Sequence, residues 1–251
     1  MELEGKVALV TGASGDIGGA VARALAAAGA DIAVGYVGYA EGAAATVRAV
    51  EAAGRRALAV QIDQRGPASI DAAVRTTLDR FGRADILVNN AAWNIGIPFP
   101  DLDRLTAETW DRVLETNLRG PYLLSRALAP HLRAHGAGRI VNIASAAGVF
   151  PGGSSIAYAS SKAALIHLTH CLAVALAPQI TVNCVSPGLV EDTRMARRLP
   201  ERVAEGARRQ AVLGQTASSL DIAAQVVAFC RADSVTGQNL VIDGGMPGCM
   251  R

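Results

Sequence analysis

Lysine is almost missing from this chain: Lys6 and Lys162 stand against twenty-two arginines. Aromatic residues reach only 4%, so rings cannot fill the interior; abundant Ala and 26 Gly suit close helix-on-sheet packing instead. Cysteine is sparse too. Cys171, Cys184, Cys230 and Cys249 form no CxxC and no paired spacing, which argues against a disulfide framework or zinc set and for inert thiols. His167 and His170 have no nearby carboxylate to complete a metal set, so no metal is expected. No charge of one sign dominates. The net charge is +2 with both signs spread along the chain, which offers no broad basic face to nucleic acid. The opening MELEGKVALVTG lacks the parts of a secretory leader, and no apolar run looks long enough to span a bilayer. The expectation is a soluble cytoplasmic protein with no membrane partner.

What is present is a globular composition, 51% hydrophobic and 18% charged. Short apolar runs alternate with longer helical patterns. Strands are predicted at Lys6–Val10, Asp31–Tyr36, Arg56–Gln61, Ala84–Val88, Arg139–Ala144, Ile180–Val185 and Asn239–Ile242. Helices are predicted to begin near Ile17, Glu41, Pro67, Thr106, Tyr158 and Ser218. This rhythm implies an α/β fold: a single-domain, doubly wound, Rossmann-type chain whose seven-stranded parallel sheet carries helices on both faces. One domain over 1–251 is expected. The charged stretch at about 189–215 interrupts the rhythm where a substrate lid would sit.

The turn after the first strand reads Thr11-Gly12-Ala13-Ser14-Gly15-Asp16-Ile17-Gly18. Gly12 permits a tight turn, Gly18 lets the helix approach the sheet, and helix-terminal amides can face a pyrophosphate. Asp16 is expected to point away and cap the helix, because a carboxylate would repel that phosphate.

Tyr158 and Lys162 lie i,i+4 on one helical face. At this composition a YxxxK is expected about 0.03 times by chance. A phenol has a pKa near about 10, too high for efficient proton transfer at neutral pH. An ammonium about 4 Å away offers the phenolate roughly 4 kcal/mol of gross Coulomb energy, which could lower its pKa by about three units before desolvation opposes it. The pair can therefore give and take a proton. Ser145, at the end of strand RIVNIAS, can hydrogen-bond a substrate oxygen held against the tyrosine.

These features, with NNAA at 89–92, Asn117 in ETNLRG, SPG at 186–188 and GQNLVIDGG at 237–245, occur in an order that resembles the short-chain dehydrogenase/reductase family over essentially the whole chain. The likeness extends to its 3-oxoacyl-acyl-carrier-protein reductase-type members. The resemblance implies a nicotinamide-dependent oxidoreductase acting on a small carbonyl or alcohol. It implies that Tyr158 is the general acid for reduction, that Lys162 tunes it and holds the nicotinamide ribose, and that Ser145 positions the carbonyl. It implies that Asn117 kinks its helix and holds a water in a relay to Lys162. It places Gly12, Ser14, Gly15, Ile17, Gly18 and Tyr36 along the cofactor, Asp63 and Gln64 at adenine, and Asn90 and Ala91 on the adenosine side. Pro187 and Gly188 shape the nicotinamide wall and Val190 meets the carboxamide. Trp93, Asn94, Phe150 and Met195 are expected to line the substrate pocket. A homotetramer, or a homodimer, is implied through helices near 106–134 and 158–177 and the last strand.

The chain departs from the family pattern at Asp16 and Ala92, where glycine is usual, and Thr193 falls one residue late. Strand two ends in Tyr36, with no acid there to repel a 2′-phosphate, so NADP(H) is favoured and NAD(H) remains possible. Arg112, Arg119, Arg126 and Arg133 recur every seven residues, and more arginines crowd the lid; both sets are expected to be solvated or subunit-facing. The alternatives are an NAD-dependent alcohol or sugar dehydrogenase of the same family and a non-catalytic cofactor-sensing regulator.

Overall fold

Near-continuous apolar runs form the strands β1 (Val7–Val10), β2 (Asp31–Tyr36), β3 (Ala57–Gln61), β4 (Ile86–Asn89), β5 (Gly138–Ile143), β6 (Ile180–Pro187) and β7 (Asn239–Ile242). The central ones are buried along their whole length, as strands covered on both faces must be. In this computed structural model, which describes residues 1–249 and leaves aside the Arg198 side chain, they pair in parallel in the order β3-β2-β1-β4-β5-β6-β7. Met250 and Arg251, the end of the predicted domain, lie outside the described residues.

Helices α1 (Asp16–Ala27) and α2 (Ala40–Ala52) cover one face together with α8 (Ser219–Arg231). The other face carries α3 (Pro67–Phe81), α5 (Gly120–Ala134) and α6 (Ile156–Leu176). Helix α4 (Ala107–Leu114) packs beside α6, and α7 (Glu201–Gln210) lies in the insertion before α8. The predicted doubly wound parallel sheet is therefore present, and all seven predicted strands form.

Strand order reverses between β1 and β4, which both pair along Ala8–Val10 and Ile86–Val88. The loops leaving their carboxyl ends diverge to opposite faces and open a crevice there. The turn Thr11–Gly15 and the segment Asn90–Trp93 form its two lips.

The helix predicted from Thr106 is interrupted at Glu115–Arg119, a π turn between α4 and α5 that contains Asn117, the residue expected to kink it. Its wider winding offsets the two helices, so the seven-residue arginine spacing does not define a single stripe. One expectation needs correction: an apolar run long enough to span a bilayer by length and composition is present. Helix α6 has 21 residues and a mean hydropathy of 1.3 over its most apolar window. It is a core helix here: Ala157, Leu165, Leu172 and Leu176 are buried, and it packs along β6.

Candidate active site

The phosphate loop is held by its neighbour across the crevice. The Thr11 hydroxyl accepts from the Asn90 and Ala91 amides at 3.0 and 2.9 Å. The Asn90 amide group donates to the Thr11 carbonyl at 2.8 Å. Gly12 has φ +64°, and a Cβ there would lie 2.9 Å from Asn90 Nδ2. A Cβ at Gly18 would strike the Gly12 carbonyl. Glycine is therefore required twice, for backbone conformation and for close approach. Gly15 caps α1 with no side chain across its first-turn amides. A backbone cradle with amides at a helix terminus fits a dinucleotide pyrophosphate.

Asp16 does not cap α1. It is the first helical residue, and its Oδ2 accepts from the Arg194 amide at 2.7 Å and lies 3.5 Å from Arg194 Nε. The carboxylate is turned toward the insertion between β6 and α8.

Tyr36 ends β2, partly buried. Asp63 is paired with Arg65 at 2.6 Å, and this hydrogen-bonded ion pair holds its carboxyl below the usual range. The Gln64 side chain turns into the fold. Gln64 is 3% exposed, and its amide donates inward to the Ala91 and Thr116 carbonyls at 3.0 and 2.6 Å. It braces the β4 loop against the π turn.

The chemistry-bearing side chains meet at the carboxyl end of β5. Ser155 caps α6 by accepting from the Tyr158 amide at 3.2 Å, which sets Tyr158 in the first turn. The Ser145 hydroxyl lies beside the Tyr158 phenol. Burial pushes the Tyr158 phenol above its ordinary pKa, and the neighbouring Ser145 hydroxyl opposes this. Lys162 is 2% exposed and its Nζ donates to the Ile143 carbonyl at 2.8 Å. Burial brings its pKa down from 10.5 to about 8. Lys162 is expected to lower the Tyr158 pKa. The ammonium is tethered to β5, 5.6 Å from the centre of the Tyr158 ring, and burial governs both groups.

Asn117 sits in the π turn, 1% exposed. Its Oδ1 accepts from the Trp93 amide at 2.8 Å, and its Nδ2 donates to the Trp93 carbonyl at 2.9 Å and the Ser161 hydroxyl at 3.1 Å. The side chain thus ties the β4 loop to α6, and its bonds run to Trp93 and Ser161 rather than to Lys162.

The remaining predicted residues frame the crevice. Pro187 ends β6, and its carbonyl accepts weakly from Ser145 at 3.5 Å. Gly188 abuts Asp243, whose Cβ would be 2.7 Å from an added Cβ. Val190 is buried and bridges to Ala217. Thr193 is buried and donates to the Val190 carbonyl at 2.8 Å, a local turn bond. Arg112 stacks on the Trp93 ring at 4.2 Å. Asn94 Nδ2 meets Met195 Sδ at 2.8 Å, so the insertion after β6 touches the β4 loop. Phe150 packs beside Gly152 and Gly248. Sequence reasoning missed Ser155, Ser161 and the docking of Arg194. The signal for the last was Asp16, an acid where the family has glycine.

A crevice at the reversal of strand order, a glycine cradle and a Ser–Tyr–Lys cluster beside it define a nucleotide-dependent oxidoreductase. The family model described as short chain dehydrogenase matches residues 6–204, and the chain belongs to that family. It is an enzyme of the class acting on CH–OH groups with a nicotinamide cofactor. Among similar proteins is a 3-oxoacyl-acyl-carrier-protein reductase of Escherichia coli K12, 38% identical over 98% of this chain and 99% of that protein. Another is the cis-4-hydroxycyclohexanecarboxylate dehydrogenase of Sinomonas cyclohexanicum, 37% identical over 96% of both chains. A short-chain dehydrogenase of Burkholderia cenocepacia J2315 solved in complex with NADP is 41% identical, with a TM-score of 0.90 over 98% of this chain and 100% of that one.

Proposed function

We propose that the protein is an NADP(H)-linked ketoreductase for a small, partly apolar carbonyl compound, working reversibly on the matching secondary alcohol. The observation that carries this reading is the placement of the Ser145 hydroxyl beside the Tyr158 phenol, with Lys162 buried one turn along α6 and bonded to the Ile143 carbonyl. NADP(H) is supported by the absence of an acid at Tyr36 and by the NADP complex of a relative with 41% identity.

When bound, the nicotinamide supplies or accepts hydride. This chain's residues do the rest. Ser145 and Tyr158 present two hydroxyls to one substrate oxygen, which fixes the carbonyl. As negative charge develops on that oxygen, Tyr158 gives it the phenolic proton. Lys162 stands close enough to reprotonate or stabilise the phenolate once its ammonium leaves the Ile143 carbonyl. Asn117 keeps the Trp93 loop and α6 in register, and so keeps the pocket wall fixed relative to Tyr158. Trp93, Phe150 and Met195 give that pocket an apolar lining. The insertion at about 189–215 acts as the lid of a single domain.

The oligomer is a homotetramer formed through α5, α6 and β7. Tyr122 on α5 is exposed, Val174 on α6 is 82% exposed, and β7 is an edge strand with Leu240 outward. Light scattering at micromolar concentration should give four chains per particle. The setting is cytoplasmic. The test of the function is titration with NADPH and NADH, followed by turnover on a panel of ketones and alcohols. Tight NADPH binding with ketone-dependent oxidation is expected. Failure of both dinucleotides to bind would overturn the reading.

A further inference from the structure

We infer that Arg194, carried by the lid, reads the 2′-phosphate of NADP(H). This rests on the NADP(H) reading above and supplies the cation that the sequence around β2 does not contain.

The 2′ position of a bound adenosine ribose lies near the end of β2 and the turn after β1. At those places the chain has Tyr36 and Gly15, neither of them basic. Arg194 fills the gap from elsewhere. An added Cβ at Gly15 would lie 3.3 Å from Arg194 Nη2, so the guanidinium occupies space that a side chain at 15 would have used. The same guanidinium stacks on the ring of Tyr39, 4.4 Å from its centroid, just beyond β2. One cation from a segment far along the chain is thus placed between the two backbone segments that flank the ribose.

Its orientation is held. The Asp16 carboxylate accepts from the Arg194 amide at 2.7 Å, which docks the lid onto α1, and approaches Nε at 3.5 Å. Neither Nη has a hydrogen-bond partner among the described residues, so the fork's outer edge is free for an anion. The Tyr39 ring lies against the guanidinium on one side. A phosphate dianion at this edge would accept two parallel N–H bonds, the geometry guanidinium provides best. Arg23 and Arg48, the nearest basic residues in sequence, are exposed on α1 and α2. They lack this combination of stacking and docking. Selectivity for the phosphorylated dinucleotide is therefore tied to the docked position of this segment: NADP(H) adds a second anionic partner for Arg194, whereas NAD(H) leaves Arg194 to Asp16 alone.

The test measures dissociation constants for NADPH, NADH, 2′,5′-ADP and 5′-ADP with wild type, Arg194→Ala, Arg194→Lys and the control Arg23→Ala. Arg194→Ala should weaken NADPH and 2′,5′-ADP by about 10- to 100-fold while NADH and 5′-ADP stay within about 3-fold. Arg194→Lys should recover part of the loss, and Arg23→Ala should behave as wild type. Equal weakening of phosphorylated and unphosphorylated ligands, or no weakening, would overturn the role of Arg194 and leave the ketoreductase reading standing. Wild type that binds neither dinucleotide would overturn both.

Discussion

Lys162 Nζ donates to the Ile143 carbonyl at 2.8 Å, which ties the first turns of α6 to the last residue of β5. Ser145 lies two residues beyond Ile143 on the same chain segment. One bond therefore positions the lysine relative to both hydroxyls it serves, at the cost of burying an ammonium.

That cost gives a stability prediction. Folded Lys162 has a pKa of about 8, below its usual 10.5. Between those values the folded chain binds fewer protons than the unfolded one, so wild-type stability should rise with pH from about 8 to 10.5. Lys162→Met should lose this rise. At pH 7 it should be more stable than wild type by about 1–2 kcal/mol, since loss of the Ile143 bond offsets part of the relief. Urea unfolding at several pH values checks both; parallel curves for the two proteins would contradict the assignment.

Asn117→Ala should leave the Trp93 amide and carbonyl short of partners, while the Ser161 hydroxyl keeps its bond to the Tyr158 carbonyl. A loss of about 2–3 kcal/mol in urea unfolding is expected. Turnover should fall with the KM for the carbonyl rising, because the Trp93 loop loses its tether. An unchanged KM would argue that the loop is held by other contacts.

Gly18→Ala places a methyl against the Gly12 carbonyl and Asn90 Nδ2, both fixed backbone or bonded groups. The cradle must open, so dinucleotide affinity should fall by at least about 100-fold even where the variant still folds by circular dichroism. Gly38→Ala, with open space around the added carbon, is the matched control and should bind normally.

Much of this was legible in the sequence. Seven apolar runs ending in small or polar residues marked the sheet, and the Lys162 that breaks an arginine habit marked the chemistry. The π turn was not legible from periodicity, because Thr106–Ala134 reads as one helical pattern and the offset is set by Asn117 bonding across to Trp93. The orientation of Gln64 was hidden for a similar reason: its partners, Ala91 and Thr116, are distant in sequence. Asp16 misled most. Local electrostatics assigned it to capping, and a tertiary contact to Arg194, 178 residues away, claimed it instead.

The insertion between β6 and α8, proposed above as the lid, carries a second anchor. Arg208 bonds Glu191 at 2.9 and 2.6 Å, and Thr216 donates to the same carboxylate at 2.8 Å. These hydrogen bonds bring the Glu191 pKa down to about 2, so the anchor persists through neutral pH and weakens only as pH falls below the usual 4.5 toward that value. Glu191→Gln should speed hydrogen exchange in α7 at pH 7 by about 3- to 10-fold, with little effect on the sheet. Equal exchange in both proteins would place the lid's stability elsewhere.

The most direct test of the central claim is Tyr158→Phe, which removes one oxygen from the cluster. NADPH affinity should stay within about 3-fold of wild type, while ketone-dependent NADPH oxidation falls by about 100- to 10,000-fold. Turnover that survives the loss of that hydroxyl would contradict the account.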